Sequence, residues 1–503
     1  MPIPTEVVVY SRLAFGARDG DFAAFRALGK TPQEQLKTWL EAQLEPTKIP
    51  DALCEARLEG LSTLKKPLLK LWAEHIRDVP EKDPNRYEIA VQPTVETRLA
   101  TMARAVWSNR QLLEVMADFW HNHFNIDPNR QEQIAALFAS FDRDVIRANV
   151  FGNFRGLLEA VTTHPSMLYY LDNASNQRAG PNENFARELF ELHTLGAENY
   201  LGIKRQRDIA GFATGNPIGY VDDDIYEATR CFTGWRVADD DSTGDTGEFV
   251  FYPAWHDRFQ KTVLGKFTPA DSAPLKDGQI VLDALSSHPG TARFICRKLC
   301  RRLIMDNPPE ALVNRIAKVF TEQQNSPDQI KHVLRAIIYS SEFGQTWGAK
   351  TKRPNERVYS VLRALGTDFK LEPDRQWTLD WLGQMPFNHP MPDGYPDRQE
   401  HWQSSTSLLR YWGYANGIAH NWDEAYRSPT IANSPDPKTP NALANYWLNR
   451  ILGRAASPNL KSLVLEKLSD NADPNTLIPA DALEWRLGEA LGLIVMSAEF
   501  LEK

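Results

Sequence analysis

Residues 112–124, LLEVMADFWHNHF, decide the fold. Wound at about 100° per residue, Leu112, Met116, Phe119 and Trp120 share one face, so the stretch reads as an amphipathic α-helix. His123 falls in the middle of that apolar face and His121 points nearly opposite. On a regular helix the HNH triplet is therefore no chelating pair, and it lacks the surroundings of an HNH nuclease. The same period recurs on both sides. Residues 33–45, 52–61, 64–77, roughly 95–124, 131–149 and 182–196 read as helices, the last closing at Gly196, a favourable C-cap. Helices resume at 278–287, 289–304, 309–323 and 326–341, and a final helical group follows residue 402. Between them, 236–275 carries an acidic loop (ADDDSTGDTGE) and then alternation in FVFYPAW and KTVLGKF, the pattern of a short β-hairpin. The expected fold is mainly α, a multi-helical array with a small β-hairpin insertion. Its stretches 1–235, 236–275 and 276–503 are expected to form one integrated domain.

Composition narrows the function classes. The chain has 503 residues and a formal charge of −8, from 57 Lys+Arg against 65 Asp+Glu, so no basic face for nucleic acid is implied. No apolar run reaches bilayer length, and the N-terminus has neither a basic lead nor a small-residue cleavage site. The expected compartment is cytosolic, or exported if a leader has been removed. Four cysteines (Cys54, Cys231, Cys296, Cys300) are too few for a disulfide framework, and Cys296 with Cys300 reads as two small buried residues one turn apart. The basic run 297-RKLCRR-302 reads as a solvated helix face. The heptapeptides 337-IIYSSEF-343 and 494-IVMSAEF-500 echo one another without establishing a repeat.

A second helix repeats the anomaly of the first. In 182-NENFARELFELHTLG-196 the apolar arc is Phe185, Ala186, Leu189, Phe190 and Leu192, and His193 sits within it. Glu188 lies on the shoulder, and Glu191 faces away towards Arg187. In 224–235, Ile225, Ala228, Cys231, Phe232 and Trp235 point inward, with Glu227 beside them. The loop 255-WHDRFQK-261 adds His256, Asp257 and Lys261. Burying such groups without partners costs about 1–3 kcal/mol each, so they should meet each other, water or a metal. Neutral imidazole with carboxylate is a common ligand set. The sequence therefore predicts His123, His193 and Glu188 as ligands of a divalent metal. It predicts His256, Asp257 and Glu188 as catalytic groups, with Asp257 orienting the His256 ring. His121, Glu183, Arg187, Glu227 and Lys261 are further candidates. The competing reading is a metal-free hydrogen-bond network, with Glu188–Arg187 and Glu227–Arg230 as plain ion pairs. No HExxH, Glu-x-x-His, CxxC, nucleotide fingerprint or GxSxG elbow occurs.

The chain resembles the bacterial domain-of-unknown-function 1800 family over nearly its whole length. The likeness rests on SRLAFGARDGDFAAFRALG, FWHNHFNI (119–126), NENFARELFELHTLG, TRCFTGW (229–235) and HDRFQKTVLG (256–265). It continues in HPGTARFICRKLCRRLI, KRPNERVYSVLRALG and LGQMPFNHPMPDGYP. The family name assigns no activity. The resemblance implies exported relatives and a co-encoded protein partner similar to the sulfatase and alkaline-phosphatase type. The segment 199–224 is longer than the family pattern, a candidate cap over a pocket. Expected function is a metal-assisted hydrolase or oxidoreductase with a His/Glu/Asp centre. The alternative is a non-catalytic binding or assembly protein whose polar centre is structural. A third option is a carbohydrate surface on the loop 384–402, with Tyr395 and Trp402.

Overall fold

In the helix Gln111–His123, Leu112, Met116, Phe119, Trp120 and His123 are all buried, so the arc read from the period is the arc that packs. The computed structural model describes residues 3–503. One hydrophobic core runs from Val8 to Leu501 and draws on the segments before and after the hairpins. The protein is mainly α-helical, with three two-stranded antiparallel sheets among the described residues. No helix there is long and apolar enough to cross a membrane. All four cysteines are free and buried.

The single helix expected over 95–124 is two. Arg86–Trp107 ends at Ser108, whose backbone is extended, and Gln111–His123 begins three residues later. Remote side chains make the break tolerable. Asp51 accepts from Ser108 Oγ at 2.7 Å and from the Asn109 amide at 2.6 Å. Gln111 Nε2 donates to the carbonyls of Ala105 and Ser108, groups a helix end leaves unsatisfied.

Three other expected helices change winding part-way. Leu68–Trp72 passes into a π-turn at Ala73–Arg77, Glu132–Ser140 into one at Phe141–Arg147, and Asn184–Glu188 into one at Leu189–His193. Each π-turn adds a residue to the helical register, and such turns recur at functional sites. The last keeps Leu189, Phe190 and His193 all buried.

The single hairpin expected in 236–275 is likewise two. Trp235–Val237 pairs with Phe249–Phe251, and Lys261–Val263 pairs with Lys266–Thr268 across a Leu264-Gly265 turn. Both turn residues have positive φ, +49° and +71°. Leucine is held there because its amide donates to Asp224 Oδ1 at 2.7 Å. The third sheet, Asp368–Phe369 with Tyr426–Arg427, joins strands that two α-helices separate, so no local turn signal marks it.

Candidate functional site

His123 and His193, inward on two separate helices, meet. Their ring centroids are 6.1 Å apart, and His123 Nε2 donates to the His193 carbonyl at 3.1 Å. That bond fixes the tautomer, because a carbonyl can only accept. With Nε2 carrying the proton, neutral His123 presents a bare lone pair at Nδ1. Nδ1 is buried and has no partner, and the same holds for His193 Nε2. Phe119, Trp120, Phe124 and Phe294 wall the pair. Burial and the charge of Lys298 keep both rings neutral: His193 is lowered to about 3, and His123, which also feels His193, falls well below its ordinary value.

Lys298 is the residue the sequence reading missed. Its stretch, RKLCRR, has the charge pattern of a solvated face, and two of its cations depart from that expectation. Arg302 is buried between Asp118 and Glu356, while Lys298 is half-buried over the Phe294 ring at 5.6 Å. Burial lowers the Lys298 ammonium to about 8, against the opposing pull of Asp397, Asp393 and Glu198. No carboxylate lies within ion-pair distance of it among the described residues. The i, i+4 spacing of Phe294 and Lys298 on an otherwise inward helix was the available signal.

Glu188 stands apart from the imidazoles. It is half-buried and hydrogen-bonds to neither ring; burial, the neighbouring Glu191 charge and Asp393 raise its carboxyl above the usual range. The ligand set His123, His193 and Glu188 therefore does not close. Among the described residues no group of three or more His, Cys, Asp or Glu is placed to hold a metal ion. Arg187 pairs with Glu183 at 3.0 Å and with Glu191 at 3.6 Å, so Glu183 and Arg187 form a surface ion-pair ladder.

The 255–261 loop lies in a different cluster, bonded throughout except at Asp277 Oδ1, which is buried without a partner. His256 Nδ1 donates to the Thr233 carbonyl at 2.8 Å, and Nε2 faces Asp277 Oδ2 at 3.1 Å. The partner that orients the ring is thus Asp277, not the expected Asp257. Asp257 is turned outward to Arg230, with contacts of 2.9 and 3.1 Å. Arg230 also holds Glu227 at 2.7 Å, and Glu227 accepts from the Thr262 amide. Lys261 is buried and donates to Asp277 at 2.8 Å and to two carbonyls. Burial raises the Asp277 carboxyl, but hydrogen bonds from His256 and Lys261 outweigh it and hold the group below its ordinary value. Every cation here has an acceptor, as a structural clamp on the second hairpin requires. We expect Asp277→Asn to destabilise the fold by about 2–4 kcal/mol, and Asp257→Asn by less, because Asp257 is nearer solvent. Denaturant midpoints of the two variants check the order.

His121 is tied off separately. Its Nε2 donates to Asp142 at 2.9 Å, and Asp142 also takes Arg147 and Arg104. The opposite directions read for His121 and His123 are those observed. Between them, Asn122 and Asn125 grip the loop 384–402. Asn122 exchanges two hydrogen bonds with the Tyr395 backbone at 2.7 and 2.8 Å, and Asn125 donates to the His389 and Met391 carbonyls. Buried Arg98 adds bonds to the Pro386 and Phe387 carbonyls. The loop is therefore a fixed cover over this end of the helix.

Gly394 makes the close approach possible. It has φ +75°, and a Cβ there would meet the Asn122 carbonyl at 2.2 Å. Gly394→Ala is expected to cost at least about 1–2 kcal/mol from backbone strain alone. It should also expose 384–402 to proteolysis, which limited digestion would reveal.

The family model described as a protein of unknown function (DUF1800) matches residues 8–502. No curated protein and no solved structure matches the chain.

Proposed function

From the premise that this chain belongs to the DUF1800 family, we infer that it is an enzyme whose reacting groups are His123, His193 and Lys298. One observation carries the reading. Two imidazole nitrogens, on helices distant in sequence, are buried side by side with no partner, next to an amine with no counter-ion. Folding alone would replace such groups by Leu and Met, because each orphaned nitrogen costs about 1–3 kcal/mol. A lysine near 8 is still largely protonated at neutral pH and gives that proton up more readily than an ordinary lysine, which suits a general acid. A neutral imidazole with a bare Nδ1 accepts a substrate O–H or N–H, or a metal ion, without first losing a proton.

Hydrolysis and oxidation are the two reaction types this centre can serve. A metal-assisted version would use His123 Nδ1 and a His193 ring nitrogen as its protein donors, leaving the other positions to water or substrate.

The alternative is a binding or assembly protein acting with a co-encoded partner of the sulfatase and phosphatase type. It is favoured by the His256–Asp277–Lys261 cluster, which is bonded as a clamp rather than as a reacting group. Two measurements separate the readings: elemental analysis of the purified protein and turnover of a panel of activated esters and phosphoesters. We expect Lys298→Met and His123→Gln to lower turnover by about 10²–10⁴-fold, and Asp257→Asn to leave it intact. If a metal is bound, His123→Ala and His193→Ala should each remove it. Neither turnover nor metal, with partner binding unaffected by these changes, would leave the binding reading standing.

A further inference from the structure

A cavity of about 410 Å³, sharing no residue with the histidine centre, lies beside the end of helix Arg86–Trp107 and the turn after helix Pro354–Leu365. Helix Pro440–Leu452 closes its far side through Arg450. Four arginines line it, and three are already committed. Arg18 donates to the Trp107 carbonyl and to Asn109, Arg57 pairs with Asp368 at 2.6 Å, and Arg363 is taken by the Gly16 and Val106 carbonyls and by Asp21.

Arg450 is different. Its side chain is 5% exposed, yet Nη1 meets only the Tyr446 hydroxyl at 3.0 Å and, more distantly, Asp19, which is itself largely in solvent. Nε is buried without a partner, and Nη2 makes no hydrogen bond among the described residues. The Asn433 side-chain amide is equally free. The two donors converge: a Cβ on Gly366 would stand 3.5 Å from Arg450 Nη2 and 3.8 Å from Asn433 Nδ2. Gly366 has φ +68° as the cap of its helix, and its lack of a side chain leaves that point open.

We propose that this cavity binds an oxyanion, the phosphate or carboxylate head of a small molecule, between Arg450 Nη2 and Asn433 Nδ2. A planar guanidinium with a free Nη and a neighbouring amide donor suits two oxygens of one anion. The acids nearby do not fill this role: Asp21 and Asp368 are held by Arg363 and Arg57, and Asp19 approaches only Nη1 of Arg450, at 3.5 Å, with its side chain largely in solvent. Stacking of the Arg450 guanidinium on Trp447, 4.6 Å from the ring centroid, fixes the fork in place.

Calorimetric titration of the full chain with inorganic phosphate, and separately with acetate, at low ionic strength tests the proposal. Saturable binding of at least one of them is expected, and the one that binds identifies the head group. Asn433→Asp, which sets a carboxylate in the anion's place, and Arg450→Met should each weaken binding by about tenfold or more. His193→Leu should leave it unchanged. Asn433 is half-buried at the surface, so its variant stays informative should Arg450→Met fail to fold. The proposal is overturned if neither anion saturates below concentrations on the order of 10 mM, or if Asn433→Asp binds as tightly as the parent.

Discussion

Acidification from pH 6.5 towards pH 3 is expected to unfold this protein, through a few histidines rather than general charge. His193 and His164 are lowered to about 3 by burial, and His123 lies well below its ordinary value for the same reason. In the unfolded chain each would protonate near 6.5. Between those values the unfolded state binds protons that the native state refuses, so stability falls as pH falls. Each group contributes a slope of up to about 1.4 kcal/mol per pH unit, so three together give about 4. A loss of that steepness would exhaust an ordinary folding free energy of roughly 5–15 kcal/mol within a few pH units. Denaturant unfolding at a series of pH values measures the slope, and His193→Leu should flatten it by up to about 1.4 kcal/mol per pH unit. A fold equally stable at pH 7 and pH 5 would mean that the buried rings accept protons.

Glu356→Ala should be the most damaging single substitution outside the apolar core. The Glu356 carboxylate accepts from the Arg353 amide at 2.8 Å, from Lys503 Nζ at 2.7 and 2.8 Å, and pairs with Arg302 at 3.0 Å. Arg302 and Arg353 also share Asp118, so helices Gln111–His123, Pro289–Leu303 and Pro354–Leu365 are joined through one buried set of charges. Removing Glu356 leaves Arg302 and Arg353 sharing Asp118, with Asp397 a distant 3.9 Å from Arg353, and leaves Lys503 with no carboxylate partner. Burial already lowers Lys503 to about 7, so its proton is expected to leave in the variant. Breaking such a set costs about 3–5 kcal/mol. Glu356→Gln keeps the shape and part of the hydrogen bonding, and should cost less. A fall in the denaturant midpoint with unchanged slope would register the loss.

The helical array was legible because burial imposes a 3.6-residue period on the sequence, and Leu112, Met116, Phe119 and Trp120 obey it. The break at Ser108 was not, since Asp51, which makes it tolerable, lies more than fifty residues upstream. The π-turns were hidden for another reason. Each comes at the end of its helix, so almost nothing follows the added residue to show the change of face, and Phe141–Arg147 and Leu189–His193 still read as ordinary helix. At the candidate site, His123 and His193 were recognisable as polar residues at inward positions. Lys298 was masked by its basic neighbours, because a run of like charges reads as solvent-facing until its partners are known. Asp277 lost to Asp257 as partner of His256 because adjacency in sequence says little where a hairpin reverses the chain.

The imidazole of His193 serves no bond of the fold. Its ring packs against Phe124 and His123, and its buried Nε2 meets nothing. The unfolding free energy of His193→Leu at pH 7 tests this most directly. An unchanged value, or a gain of about 1 kcal/mol from removing an unpartnered nitrogen, is the expected result. A loss of about 2 kcal/mol or more would contradict it, and would make the histidine pair part of the scaffold.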